Sequence, residues 1–153
     1  AGSEYVGRGL VYFVPALEEH RDKDVVIVGG GDSAFDWAVS LHPIAKSVTI
    51  VHRRDALRGS KIMQERAKKN PKVAFVWDSV IDEVLGAEKV SGVRLKNVVT
   101  GKTLELPCAG VFVAIGHRPN TALFAGQLDM DEKGYLRTGR GTGIFATCHT
   151  FAK

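Results

Sequence analysis

The sequence has few cysteines and no long apolar run. Its 153 residues include two cysteines, Cys108 and Cys148, which stand far apart and form no C-x-x-C pair. This spacing indicates neither a disulfide framework nor a zinc site, and we expect Cys108 to be a buried, reduced thiol. No run approaches the roughly eighteen apolar residues of a membrane-spanning helix, and the first residues do not resemble a signal peptide. We therefore expect no membrane partner and a cytoplasmic location.

Neither sign of charge dominates the composition. The chain has 21 basic and 17 acidic residues, and most basic residues are interspersed with acidic ones, as on a solvated helix face. We therefore expect no nucleic-acid partner. No repeat, low-complexity segment or linker rich in Pro, Gly and Ser is present, so we interpret residues 1–153 as a single domain.

Apolar runs alternate with helical patterns in the first half of the chain. Asp24–Val28 and Ser47–Val51 are short β-branched runs, typical of strands buried on both faces. Between them, residues 33–41 have apolar side chains at helical spacing, which predicts a strand-helix-strand crossover. A second helix is predicted at 61–70 and a further strand at 73–77.

The pattern changes to alternation of apolar and polar residues after residue 77. This alternation and two turn signals predict an antiparallel meander of about three strands over residues 78–107. Residues 111–115 return to the continuous apolar pattern of a buried strand. The expected fold class is α/β: a Rossmann-like, three-layer NAD(P)-binding domain with a central parallel sheet and an antiparallel β-meander.

A glycine-rich turn lies directly after the first predicted strand and before the first predicted helix. This glycine turn has the form G-x-G-x-x-A and consists of Gly29, Gly30, Gly31, Asp32, Ser33 and Ala34. The first glycine permits a tight turn, the second lets the backbone approach a pyrophosphate, and the alanine lets helix and strand pack closely. Free amides at a helix start can bind phosphate. The turn predicts a dinucleotide site; the alternative is an unliganded turn in which Asp32 caps the helix.

Basic residues stand where NAD-selective folds carry an acidic residue, about twenty positions after the glycines. The strand there ends at His52, Arg53 and Arg54, and Arg58 follows. Forked guanidinium donors match a phosphate, so we assign the three arginines to the 2′-phosphate of NADP(H), with His52 as a further cofactor-binding candidate. Asp55 leaves NAD as an alternative cofactor, and a solvated basic loop is the other interpretation.

These segments together resemble the NADPH domain of low-molecular-weight thioredoxin reductases. The resemblance rests on the glycine turn, on residues 52–58 and 61–63, and on the Gly-His-Arg-Pro-Asn-Thr sequence of residues 116–121. It implies insertion between two parts of a FAD-binding domain, with residues 1–10 and 116–153 in the crossover regions. It also implies three further cofactor-binding candidates: Ile115, Gly116 and His117.

Two features of that family are missing. The family's redox-active C-A-T-C is replaced near residues 13–16 by Phe-Val-Pro-Ala, so we expect no dithiol catalysis. This absence and Phe-Asp-Trp at 35–37 resemble thioredoxin-reductase-like ferredoxin or flavodoxin–NADP reductases. Cys148 and His149 stand where the family has a glycine and a flavin-contacting aspartate, and no second glycine fingerprint is present. We expect no FAD binding by this chain and interpret it as an excised or split domain.

The expected function is NADP(H) binding without turnover. In a complete family member, NADPH would pass hydride to FAD, so a FAD-binding domain or a redox partner is the expected protein partner. Two alternatives stay open: a noncatalytic, NADP(H)-responsive interaction module, and a small stand-alone NADP-dependent dehydrogenase. For the dehydrogenase, Asp36 is the one serviceable acid or base in the sequence. We assign no catalytic residue and no metal ligand.

Overall fold

The computed structural model describes residues 3–12, 17–115, 120–132 and 134–137. The chain divides at residue 116 into two compact units, residues 1–115 and residues 116–153. In the first unit the strands are β1 (Leu10–Val11), β2 (Asp24–Val28), β3 (Ser47–Val51), β4 (Val73–Val76), β5 (Ser79–Gly86), β6 (Val90–Asn97), β7 (Thr103–Pro107) and β8 (Gly110–Val113). The α-helices described there are α1 (Asp32–Leu41) and α2 (Lys61–Lys68).

A parallel sheet of five strands forms the centre of the first unit, in the order β1-β8-β2-β3-β4. Strand β2 is the middle strand and pairs in register with β3 on one side and with β8 on the other. The central parallel sheet predicted from the sequence is therefore confirmed. The pattern did not predict β1, because two residues are too few to show a period.

Both faces of this sheet are buried, and alternate residues of each strand serve different faces. Val25 and Ile27 pack with the helices in one apolar cluster, which also contains Phe35 of α1. Val26 lies in a second cluster together with Val93 of β6. The expectation of strands buried on both faces is confirmed.

The second cluster exists because an antiparallel sheet covers the face opposite the helices. Its order is β5-β6-β7, and it lies within the predicted 78–107 segment. The first unit therefore has three layers: helices, parallel sheet and meander. Arg94 in the middle strand forms ion pairs with carboxylates on both neighbouring strands, namely Glu83 and, at 2.8 Å, Glu105.

Cys108 lies buried just before β8, as expected from the sequence, and has no disulfide partner among the described residues. Burial in apolar surroundings raises the pKa of its thiol to about 12. Cys148 lies outside the described residues. No helix in the described ranges is long and apolar enough to cross a membrane.

The described residues of the second unit contain a short 3-10 turn at Ala122–Phe124 and a single bridge between Met130 and Leu136. The hydroxyl of Thr121 donates a hydrogen bond to the carbonyl oxygen of Gly134. This part of the chain is therefore held by turns and isolated hydrogen bonds.

Candidate functional site

The predicted binding residues of the first unit lie at the carboxyl ends of the two central strands. The glycine turn follows β2, and residues 52–60 follow β3. Because Val28 pairs with Val51 in a parallel register, both segments leave the sheet at the same edge. Open α/β sheets bind ligands at this edge.

Gly29 is required by both its backbone conformation and its close packing. Its φ of +151° is one that residues with side chains rarely adopt, and a Cβ there would collide with the carbonyl oxygen of Ala114. Its N–H donates to the Val51 carbonyl at 3.0 Å. The chain can therefore turn sharply at the end of β2 while it stays against β3 and β8.

Gly31 leaves open space in front of the start of α1. It is the N-cap, its backbone is extended, and a Cβ there would meet no atom within 4 Å. The N–H groups of Asp32 and Ser33 donate to no acceptor among the described residues. Ala34 is fully buried, which lets the helix pack closely on the sheet. The helix start thus presents free amides with room for a ligand.

His52 contacts the protein with its ring and is 8% exposed. The ring packs on the backbone of Gly30, where a Cβ would lie 2.5 Å from the ring carbon Cε1. Its Nε2 lies 3.1 Å from the Ala56 carbonyl oxygen, so this nitrogen carries the proton and donates it. His52 therefore joins the glycine turn to the segment that carries the arginines.

That segment, residues 53–60, is called the arginine loop below, and the glycine turn holds its end by three consecutive amides. The carbonyl oxygen of Gly30 accepts hydrogen bonds from the N–H groups of Arg58, at 2.8 Å, and Gly59, at 3.0 Å. The N–H of Ser60 then donates to Oδ1 of Asp32 at 2.7 Å. The sequence interpretation did not anticipate these contacts. Since α1 has no side-chain cap, the alternative role of Asp32 as a helix cap does not occur.

Gly59 is needed because the loop approaches α1 closely. A Cβ at this position would lie 2.6 Å from two carbon atoms of the Phe35 ring, and Phe35 is fully buried. The sequence signal that could have indicated this junction is a glycine, Gly59, directly before Ser60, the N-cap of α2. Only a glycine fits here without displacing the core.

The three arginines of the loop extend into solvent. The side chains of Arg53, Arg54 and Arg58 are exposed, and none makes an ion pair or hydrogen bond with another described residue. Asp55, beside them, is also exposed. Because backbone contacts fix Arg58 next to the glycine turn, the site combines fixed amide donors with unpaired guanidinium groups. An arrangement of this kind favours an anion with more than one phosphate.

Ile115 follows β8 at the same edge of the sheet. Its side chain is 73% exposed, one residue after the Ala114 carbonyl that packs on Gly29. Gly116 and His117, the other two candidates near it, lie outside the described residues. The segment 13–16 and the residues Cys148 and His149 also lie outside them. In the described ranges, no group of three or more His, Cys, Asp or Glu side chains could hold a metal ion.

Residues 13–146 match the family described as "Pyridine nucleotide-disulphide oxidoreductase". A thioredoxin reductase of Streptomyces coelicolor is 56% identical over 117 residues, which are 76% of this chain and 36% of that protein. The solved thioredoxin reductase of Lactococcus lactis has a TM-score of 0.85 at 38% identity, covering 92% of this chain and 47% of that one. That of T. acidophilum has the same TM-score at 28% identity, with 92% and 47% covered.

The chain therefore belongs to the pyridine nucleotide-disulphide oxidoreductase family. Within this family, both its sequence and its fold are similar to part of thioredoxin reductases, which confirms the resemblance and the Rossmann-like α/β class expected from the sequence. The chain spans about 36% to 47% of the length of these relatives.

Proposed function

We propose that the chain is the NADP(H)-binding domain of a thioredoxin-reductase-like flavin oxidoreductase. The observation that supports this most is the junction at the edge of the sheet, where the carbonyl oxygen of Gly30 binds the amides of Arg58 and Gly59. This contact places the glycine turn and the arginine loop side by side. A dinucleotide with an additional phosphate has the chemistry that both parts would recognise.

The residues present fit the two charged groups of NADP(H). The free N–H groups of Asp32 and Ser33, with the open space at Gly31, would bind the pyrophosphate. The guanidinium groups of Arg53 and Arg58, together with that of Arg54, would bind the 2′-phosphate. His52 would act on the loop through its bond to Ala56, because its Nε2 already has a partner in the protein.

The arginines give a quantitative reason to propose NADP(H) rather than NAD(H). A charge-assisted hydrogen bond contributes about 1.5–3 kcal/mol, which corresponds to roughly a tenfold to hundredfold preference for each arginine that binds the phosphate. Two such contacts would exceed any compensation from Asp55, whose exposed carboxylate lies in the same loop.

In the complete enzyme, the bound nicotinamide would supply hydride to a flavin held by another domain. The residues of this chain would bind and orient the nucleotide, and we assign none of them to proton transfer. Asp36, the candidate for a stand-alone dehydrogenase, is exposed on α1. We therefore propose that the chain alone binds NADP(H) without turnover.

A flavin-binding domain or a redox partner is the proposed neighbour of the carboxyl ends of β1 and β8. These strands are parallel neighbours, and exposed apolar side chains follow both: Tyr12 is 57% exposed after β1, and Ile115 is 73% exposed after β8. Large apolar side chains at adjacent strand ends favour contact with another protein surface.

Calorimetric titration of the 153-residue chain with NADPH, NADH and FAD tests this proposal. We expect NADPH to bind about tenfold to a hundredfold more tightly than NADH, and FAD to give no binding heat. Mixing the chain with NADPH, FAD and ferricyanide should give no NADPH oxidation above that of the protein-free mixture. Absence of NADPH binding would overturn the cofactor assignment, and turnover would overturn the assignment as a binding domain.

A further inference from the structure

Asp32 places a negative charge within a turn that we propose binds phosphate. Its side chain is exposed in the first turn of α1, where the helix dipole favours a carboxylate. The same charge repels a pyrophosphate bound to the neighbouring amides. The hydrogen bond that Asp32 accepts from the N–H of Ser60 is a favourable interaction that can outweigh this repulsion.

We propose that Asp32 is a positioning residue that fixes the arginine loop and thereby sets the preference for a 2′-phosphorylated nucleotide. This proposal rests on the proposed function. Asp32 acts through Arg58: its Oδ1 binds the N–H of Ser60 at 2.7 Å, two residues beyond the arginine. The carboxylate acts through the backbone of the loop and without direct contact with the cofactor.

The contact with Asp32 completes the attachment of the loop. The loop is bound in its middle, where His52 binds the carbonyl of Ala56, and at Arg58 and Gly59, where Gly30 accepts both amides. Between the glycine turn and α2, Ser60 is the last residue before the helix begins. Without the bond at Ser60, only the carbonyl of Gly30 holds this end of the loop to the glycine turn, so the start of α2 and the loop are less firmly placed.

Of the three bonds from the amides of Arg58, Gly59 and Ser60 to the glycine turn, the bond from Ser60 is the strongest because its acceptor is charged. The carbonyl of Gly30 is a neutral acceptor that two donors share, whereas the carboxylate of Asp32 is ionised and binds the single Ser60 amide. Hydrogen bonds to ionised acceptors are shorter and roughly twice as strong as neutral ones. Among the side chains that bind the end of the loop, Asp32 is therefore the one whose removal should displace Arg58 most, because the contacts of Gly30 use main-chain atoms.

Two substitutions at Asp32 separate its hydrogen bond from its charge. Asp32→Asn keeps an acceptor oxygen at the same distance from the backbone but removes the repulsion toward phosphates. Asp32→Ala removes both. We measure the ratio of the dissociation constants for NADH and NADPH by calorimetry, because NADH has the same pyrophosphate but no 2′-phosphate. We expect Asp32→Ala to lower this ratio about tenfold and Asp32→Asn, whose neutral oxygen is a weaker acceptor, to lower it only about threefold.

A second pair removes the donor and leaves Asp32 unchanged. Ser60 has a φ of −58°, which proline adopts, so Ser60→Pro removes the N–H with little strain at that residue. Ser60→Ala keeps the N–H and removes only the hydroxyl, so it is the matched control. We expect Ser60→Pro to lower the ratio as Asp32→Ala does, and Ser60→Ala to leave it unchanged.

The outcomes distinguish this proposal from the proposed function. If the unsubstituted chain binds NADH as tightly as NADPH, the proposed cofactor preference is wrong. If it prefers NADPH but Ser60→Pro keeps the full ratio, or Asp32→Asn lowers it as much as Asp32→Ala, only the role of Asp32 is wrong. Should Asp32→Ala fail to fold in circular dichroism, the Ser60 pair alone decides.

Discussion

Two groups of arginines among the described residues differ in the partners of their guanidinium groups. In the meander, Arg94 lies between two carboxylates, and its contacts with Glu83 and Glu105 satisfy its guanidinium group. These contacts raise its pKa, with the hydrogen bond to Glu105 as the largest cause. In the arginine loop, Arg53 and Arg58 have no carboxylate partner among the described residues.

The difference separates an arginine that pairs with carboxylates of the same chain from arginines whose side chains have no such partner. Arg94 pairs with residues on both neighbouring strands and so connects three adjacent strands of the meander. These ion pairs are exposed on the surface of the meander, and they leave no unpaired charge at Arg94 for a ligand. In the loop, the protein fixes the backbone of Arg58 through Gly30 and leaves its side chain unpaired. A fixed backbone with an unpaired charged side chain is typical of a residue that binds a ligand.

The largest expected effect on nucleotide binding comes from blocking the free amides of the glycine turn, which bind phosphate independently of the arginines. Gly31→Val adds a side chain in the open space before α1, where its Cβ meets no protein atom within 4 Å. The side chain should block a pyrophosphate, so we expect NADPH and NADH to lose binding by about a hundredfold or more each. Thermal unfolding should show a loss of stability of only about 1 kcal/mol, from the poorer N-cap. Tight binding of either nucleotide would contradict the site.

The next largest effect compares the two arginine settings directly. Arg58→Ala, and likewise Arg53→Ala, should weaken NADPH binding about tenfold to a hundredfold while NADH binding changes little, because only NADPH carries the 2′-phosphate. Arg94→Ala removes an equal charge from the meander and should leave both affinities unchanged. Equal losses for both nucleotides in Arg58→Ala, measured by calorimetry, would remove the distinction between the settings.

A smaller effect is expected when the loop is displaced without loss of an arginine. Gly59→Ala brings a Cβ against the buried Phe35 ring and should push the loop outward, lowering the preference for NADPH about threefold to tenfold. Phe35→Leu removes the ring, so the double variant should regain most of the preference in the same titrations. A double variant as poor as Gly59→Ala would show that the steric explanation is wrong.

The smallest effect is that of salt. Because the loop guanidinium groups are exposed, ions should screen their attraction for a 2′-phosphate. We expect the preference for NADPH over NADH to fall about twofold to threefold between roughly 0.05 M and 0.5 M salt. Titrations in sodium chloride check this, and a preference that is constant over that range would indicate contacts shielded from solvent.

Much of the first unit could be predicted from the sequence because its signals are local. The runs at β2 and β3 and the helical spacing of α1 each appear within about ten residues, and their predicted positions agree with the structure to within one residue. The α2 helix ends at Lys68 rather than at residue 70, and β8 begins and ends earlier than predicted. End positions depend on hydrogen bonds to other segments, which no local pattern records.

The junction between the glycine turn and the arginine loop could not be predicted in the same way. The bond between Ser60 and Asp32 joins residues 28 positions apart, and it depends on the path that the loop takes after β3. The sequence indicated which residues carry charge, but not that Gly30 and Gly59 are buried at their contact. The roles proposed for Arg53, Arg54 and Arg58 stay predictions until nucleotide binding is measured.

The shared carbonyl of Gly30 has a consequence for redesign of cofactor preference. The two amides that it binds belong to the loop residues Arg58 and Gly59, so the part of the chain that would recognise the 2′-phosphate is built onto the part that would bind the pyrophosphate. A grafted loop that follows a different backbone path would lose these main-chain contacts together with the arginines. A successful exchange would keep the backbone of residues 58–60 and change only the outward side chains.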